Sequence, residues 1–201
     1  MYPLHDKMQF YRVSEDPGFD AHKPINEAFL RTYSSPKSSG NASIVCGHHT
    51  TIHQDGKHYT WFRDPLKRDV SHFNYDYKYG YQESDDFATH LSLMTGNFLV
   101  LWLYGKYCKL SETADIEKKY NVVRKALKEK NVKVYDSDNF ENSWTEIADE
   151  LKVEAEPRLN SNEGGKAYEK IVRYSELPEE FKIWHRSYNH YDYLLYEEFC
   201  Q

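Results

Sequence analysis

Residues 59–75 read YTWFRDPLKRDVSHFNY, and the change of pattern at Arg63-Asp64-Pro65 marks where a strand gives way to a helix. Tyr59, Thr60, Trp61 and Phe62 are aromatic or β-branched, the composition of a strand. Asp64 is a favourable helix N-cap, and Pro65 suits the first helical position, where its missing N–H costs nothing. Val70, Phe73 and Tyr77 then recur at spacings of three and four, the stripe of an amphipathic helix. The junction sets Arg63 at the strand's carboxyl end, beside a helix start with a partial positive charge and free N–H groups. A guanidinium there offers a planar fork of donors suited to phosphate. Ser71 lies about two helical turns beyond the cap and can share a face with the helix entrance. Arg68 and Lys67 add charge nearby. The segment predicts a pocket for a phosphate monoester; the alternative is a capped helix with solvated basic side chains.

Working outward, residues 7–13 (KMQFYRV) and 42–47 (ASIVCG) read as strands, the second a buried one. Between them Pro24 opens a short helix with Ile25, Ala28, Phe29 and Tyr33 on one face, and a Ser/Pro/Gly-rich connector spans 34–41. Downstream the periodicity predicts a helix over 87–104 and another with Ile116, Tyr120, Val123 and Leu127 on its stripe. Residues 132–135 form a short strand. Asp138 and Glu141 then form a capping box ahead of Phe140, Trp144, Ile147 and Leu151. After a Gly/Asn/Ser loop at 160–166, one long closing helix carries Leu177, Phe181, Trp184, Tyr188, Tyr191 and Leu195. Strands alternating with helices predict a single α/β domain over 1–201, with a mostly parallel central sheet flanked by helices. Ligands of such folds sit at the carboxyl ends of the strands.

Composition narrows the function classes. With 201 residues, 39% hydrophobic and 29% charged, the chain can bury a substantial core and is neither a disordered tail nor a membrane protein. The apolar run Phe98–Leu103 is far below the ~20 residues that span a bilayer. No secretory signal pattern opens the chain, and three scattered cysteines, Cys46, Cys108 and Cys200, fit a reducing compartment, so a cytoplasmic location is expected. A net charge of −6 argues against nucleic acid as a partner but not against a local anion pocket. Tyrosine is abundant, with 18 copies, and its half-polar ring serves core rims and sugar-stacking surfaces alike.

The motif R-D-P-x-x-R-x-x-S after a strand (Arg63, Asp64, Pro65, Arg68, Ser71) resembles the 3′-phosphate-binding segment of sulfotransferases. The likeness is closest to the branch of heparan sulfate and other carbohydrate O-sulfotransferases. Asn97–Gly105 (NFLVLWLYG) is similar to the family's N-x-x-x-x-x-L-x-G helix. Residues 134–151, with Phe140-Glu141-Asn142-Ser143, are similar to its next strand and helix, and Asn189-x-x-Asp192-x-x-Leu195-Tyr196 to its closing helix. The resemblance covers about residues 42–199. It implies a P-loop-NTPase-like three-layer fold and a reaction in which PAPS donates a sulfuryl group to a hydroxyl, expected to belong to a carbohydrate. It further implies that Arg63 and Ser71 hold the 3′-phosphate with support from Arg68, and that His48, ending the strand at Val45-Cys46-Gly47-His48, is the base. A histidine that titrates near neutrality suits the proton such a hydroxyl must lose. No metal is expected.

The chain departs from the family where the 5′-phosphosulfate loop should stand. Residues 14–23 (SEDPGFDAHK) carry Glu15, Asp16 and Asp20, with Lys23 the available cation; Pro36–Gly40 (PKSSG) has the loop's letters but no room for the helix that should come after it. Because leaving-group stabilisation is usually the largest catalytic contribution, a catalytically inactive nucleotide- or glycan-binding relative is the alternative. A metal site built from Cys46, His48, His49, His53 and His58 is a further, weaker option: no C-x-x-C is present, and His49 and His53, though four apart, stand between two strands where no helix is expected. Lys166, ending Asn162-Glu163-Gly164-Gly165-Lys166, is a weak donor contact, and Tyr75, Tyr77, Tyr79 and Tyr81 could flank a sugar or pack a helix end.

Overall fold

The computed structural model describes residues 10–12, 44–46, 56–81, 85–94, 96–107, 115–152 and 171–200. The chain packs as two units, Met1–His58 with Trp102–Lys133, and Tyr59–Leu101 with Val134–Gln201.

In the first unit, strands β1 (Phe10–Arg12) and β2 (Ile44–Cys46) pair in parallel, with Phe10 opposite Ile44 and Arg12 opposite Cys46. A parallel pair cannot be closed by a tight hairpin and needs a crossover connection, as the sequence pattern requires. The helix predicted between them, on Pro24 and Phe29, lies outside the described residues. The helix carrying Ile116 and Leu127 is present. Asp115 caps it by accepting from the Lys118 N–H at 2.8 Å, and Val123 and Leu127 are fully buried.

The second unit begins with β3 (Tyr59–Phe62), which pairs with β4 (Lys133–Asp136). After Arg63 and Asp64 the chain enters helix α1 (Pro65–Lys78), then α2 (Phe87–Leu93) and α3 (Phe98–Tyr107). Helix α4 (Ile116–Glu129) belongs to the first unit and precedes β4. Then come α5 (Phe140–Leu151), α6 (Glu179–Tyr188) and α7 (His190–Phe199). Leu66, Val70 and Phe73 of α1 pack with Phe87 and Leu91 of α2, against partly buried Met94, Val172, Leu177 and Phe181. Each fully buried side chain of this size contributes about 1.5–3 kcal/mol. Of the 3/4 stripe read from the sequence, Val70 and Phe73 lie in this core, while Tyr77 is exposed.

Three local expectations are corrected. The helix expected over 87–104 is two helices, because Asn97 takes a left-handed φ of 59° and a Cβ on Gly96 would lie 2.8 Å from the Tyr188 carbonyl oxygen. The long closing helix also breaks, at Asn189. The two breaks hold one another: Asn97 N–H donates to Asn189 Oδ1 at 2.8 Å, and Asn97 Oδ1 accepts from the Tyr191 N–H at 2.8 Å. Asp138 forms no capping box. Asp136 instead caps a 3-10 turn, Ser137–Asn139, by accepting from the Asp138 N–H, and the side chain of Asp138 turns to basic partners of α1 and its entrance.

On fold class, the described residues show a mostly helical chain of mixed α/β character. Their strands, three or four residues long, form two two-stranded sheets, one of them parallel, and no three-layer arrangement is seen among them. No helix among the described residues is long and apolar enough to cross a membrane.

Candidate functional site

The strand-to-helix junction forms as its residues dictate. Pro65 occupies the first helical position, and Asp64 Oδ1 accepts from the Lys67 N–H at 2.9 Å. The Asp64 carbonyl takes the Arg68 N–H at 2.9 Å. One of the free amides of the helix start, that of Lys67, is therefore committed to the Asp64 carboxylate, so fewer are open to an anion than the sequence pattern promises.

Arg63 and Ser71 line the same cavity, of about 330 Å³, together with Arg68, Asp69, His72 and Tyr75, and with Met94 and Phe98 as its apolar wall. That volume is at the small end of ligand cavities, enough for a phosphate with part of its attached sugar. Arg63 projects from the end of β3 with its side chain 42% exposed; its Nε stands 3.7 Å from Asp138 Oδ1, beyond hydrogen-bond reach. The Ser71 hydroxyl makes no hydrogen bond among the described residues. These two groups remain available to a ligand.

Arg68 is differently placed. Its Nε donates to Asp69 Oδ1 at 2.8 Å and its Nη1 to Asp192 Oδ2 at 2.9 Å, while Nη2 lies 2.7 Å from Asp69 Oδ1 without hydrogen-bonding alignment. Phe98 covers the guanidinium, its ring centroid 5.0 Å from Cζ. Burial alone would favour deprotonation, but Asp69 and Asp192 outweigh it and hold the arginine charged. Asp69 continues the chain of contacts: its Oδ2 meets His185 Nε2 at 2.9 Å, and His185 Nδ1 meets the Tyr193 hydroxyl at 3.2 Å. His185 and Asp192 are completely buried.

Asp138 is the competitor at the rim. It takes Lys67 Nζ at 2.5 Å and stands near Arg63. That hydrogen bond, offset in part by desolvation, raises Lys67 above its ordinary value. Beside the cavity, His72 Nε2 lies 3.5 Å from Asp76 Oδ2, and the His90 ring packs edge-on to Phe73 at 5.3 Å. Tyr75, Tyr79 and Tyr81 gather at the helix end, with centroids 4.5–6.3 Å apart, and all three are exposed. Tyr77 packs on Phe73 instead.

His48, the expected base, lies outside the described residues, as do 14–23, 36–40, Lys166, His49 and His53. The sequence pattern alone groups Arg63, Ser71 and Arg68, and all three line one cavity; it does not single out Asp138, Asp192 or His185 as their neighbours. Asp192 carries a signal, because it stands in the closing motif N-x-x-D; the spacing of Asp138 points to a capping box instead. Comparison with protein-family models, with curated proteins and with solved structures gives no match.

Proposed function

We propose that this chain is a PAPS-dependent sulfotransferase of the carbohydrate branch, built on a P-loop-NTPase-like three-layer fold. One observation carries the reading: Arg63 at the end of β3 and Ser71 two turns into α1 line one cavity, with Arg63 held only by an exposed ion pair to Asp138 at 3.7 Å. A guanidinium and a hydroxyl converging on one space suit the doubly charged oxygens of a 3′-phosphate. Arg68 supports them indirectly, by locking α1 to Asp192. Further support comes from the motif residues Asn97, Asn189 and Asp192, which resemble the family in two separate stretches of sequence and meet in one partly buried hydrogen-bond network beside α1. His48 is the proposed base, taking the proton of an acceptor hydroxyl as its oxygen bonds to sulfur and the S–O bond to the phosphate breaks. The nucleotide PAP leaves.

The acidic segment 14–23 favours one second reading, a relative that binds PAP or a glycan without transferring sulfate. A radiolabelled transfer assay from PAPS to a panel of sugars separates the two, with His48→Ala as control. Transfer that His48→Ala abolishes supports the enzyme. PAP binding without transfer to any acceptor leaves the binding relative, and an absence of PAP binding at millimolar concentration ends the enzyme and the nucleotide-binding relative, leaving a glycan-binding one.

A further inference from the structure

We infer that His72, Asp76 and His90 form a binding site for a zinc-type divalent cation, clasped between α1 and α2. His72 and Asp76 stand one helical turn apart on α1, the i, i+4 spacing that places two side chains on one face. His90 reaches them from the last turn of α2. One ligand atom from each of the three lies within 4.8 Å of the other two. A tetrahedral ion with bonds of 2.0–2.1 Å needs donors about 3.3 Å apart, so small side-chain rotations close the site.

The second observation is His90 Nε2. It is buried and has no hydrogen-bond partner among the described residues. Buried ring nitrogens are ordinarily satisfied, and one left bare calls for an ion or another occupant. A plain His72–Asp76 ion pair would account for two members of the cluster but leaves this nitrogen unexplained. Phe73 walls the site on the core side, its ring edge-on to His90 at 5.3 Å, while His72, with 48% of its side chain exposed, leaves an entry from solvent.

The ligand set selects the metal. Two imidazoles and a carboxylate suit zinc and its neighbours among the first-row metals, whereas magnesium and calcium prefer oxygen throughout. Three protein ligands leave a coordination position for water, the arrangement of an open rather than a closed structural site. His72 also lines the cavity of Arg63, so an ion here would stand at that cavity's edge. The metal site is independent of the nucleotide reading and stands or falls without it.

Titration of Co2+ into the metal-stripped full chain, monitored by its visible ligand-field absorption and by displacement with Zn2+, tests the site. One equivalent is expected to bind, with His72→Ala and His90→Ala each weakening it by about tenfold or more, since even outer-shell losses cost ~10–100-fold. The exposed His190→Ala should titrate like wild type. His72→Ala removes a largely exposed side chain and should keep the metal-free melting temperature, so its result stands even where His90→Ala folds poorly. No band at stoichiometric Co2+, or a His72→Ala variant that binds like wild type, overturns the site and places any bound ion elsewhere among the ten histidines.

Discussion

Arg68 and Asp192 meet at 2.9 Å in the interior of the second unit, and the same carboxylate accepts from the Leu99 and Val100 N–H groups, both at 2.8 Å. One buried aspartate on α7 thereby caps α3 and neutralises the arginine of α1. Removing one partner of such a pair leaves an uncompensated buried charge, at about 3–5 kcal/mol. Asp192→Ala should accordingly lower the urea midpoint by a large fraction of total stability. Asp192→Asn, which can still accept but carries no charge, should lose less. Equal losses for the two variants would mean that the charge matters and the cap does not.

Arg63 should behave in the opposite way. It is exposed at the cavity mouth and its nearest carboxylate is beyond hydrogen-bond distance, so Arg63→Ala is expected to leave melting in buffer nearly unchanged. Its effect should appear with ligand. PAP at a hundred times its Kd stabilises a binding protein by about 2.7 kcal/mol, seen as a raised melting temperature. Arg63→Ala should abolish that rise and Ser71→Ala should shrink it. An Arg63→Ala protein that PAP stabilises as fully as wild type would take the 3′-phosphate away from this cavity.

Asp64 contributes to the helix rather than to the ligand. Its carboxylate is bonded to the Lys67 N–H, and loss of a cap costs about 1 kcal/mol. Asp64→Asn should be nearly silent in thermal unfolding, and Asp64→Ala should fall by about that amount. A gain in PAP affinity for Asp64→Ala would show that the carboxylate also repels the ligand.

What is legible in the sequence is local. The turn from β3 into α1 can be read because Asp64 and Pro65 act on their own neighbours. The core positions Val70 and Phe73 come from helical spacing, which also adds the exposed Tyr77 and leaves out the buried Leu66. The breaks at Asn97 and Asn189 cannot, since each depends on the other across the fold: a left-handed asparagine is tolerable at 97 because its side chain caps the Tyr191 N–H. Asp138 misleads for a related reason. By spacing it resembles a cap, but Lys67 of α1 takes its carboxylate, with Arg63 nearby at 3.7 Å. The His72, Asp76 and His90 cluster is half visible, as an i, i+4 pair whose third member comes from another helix.

Cys200 should resist modification. Burial, with Asp136 adding repulsion, pushes its thiol up to about 12, and the thiolate is the reactive form. At about pH 8, native protein treated with iodoacetamide should show little alkylation of Cys200 by peptide mass spectrometry, and denatured protein should show complete alkylation. Rapid labelling in the native state would mean that the end of α7 opens readily.

Asp69 should give the acid limb of stability. Burial works to raise its carboxyl, but the His185 hydrogen bond and the Arg68 charge outweigh it and hold the group below the ordinary carboxylate range. A carboxyl depressed in the folded state contributes fully above its unfolded value, near ~4. That contribution is lost as pH falls through the lower folded value. Asp192 has the opposite sign, because burial lifts it despite Arg68 and the Leu99 and Val100 amides, so the wild-type curve alone would blur the two. The difference between wild type and Asp69→Asn isolates the group. Urea midpoints taken from about pH 6 to about pH 2.5 should show a wild-type advantage that is constant at the upper end and narrows below about pH 4. A gap that stays the same down to the lowest pH would mean that Asp69 serves His185 and Arg68 by shape and hydrogen bonding rather than by its charge.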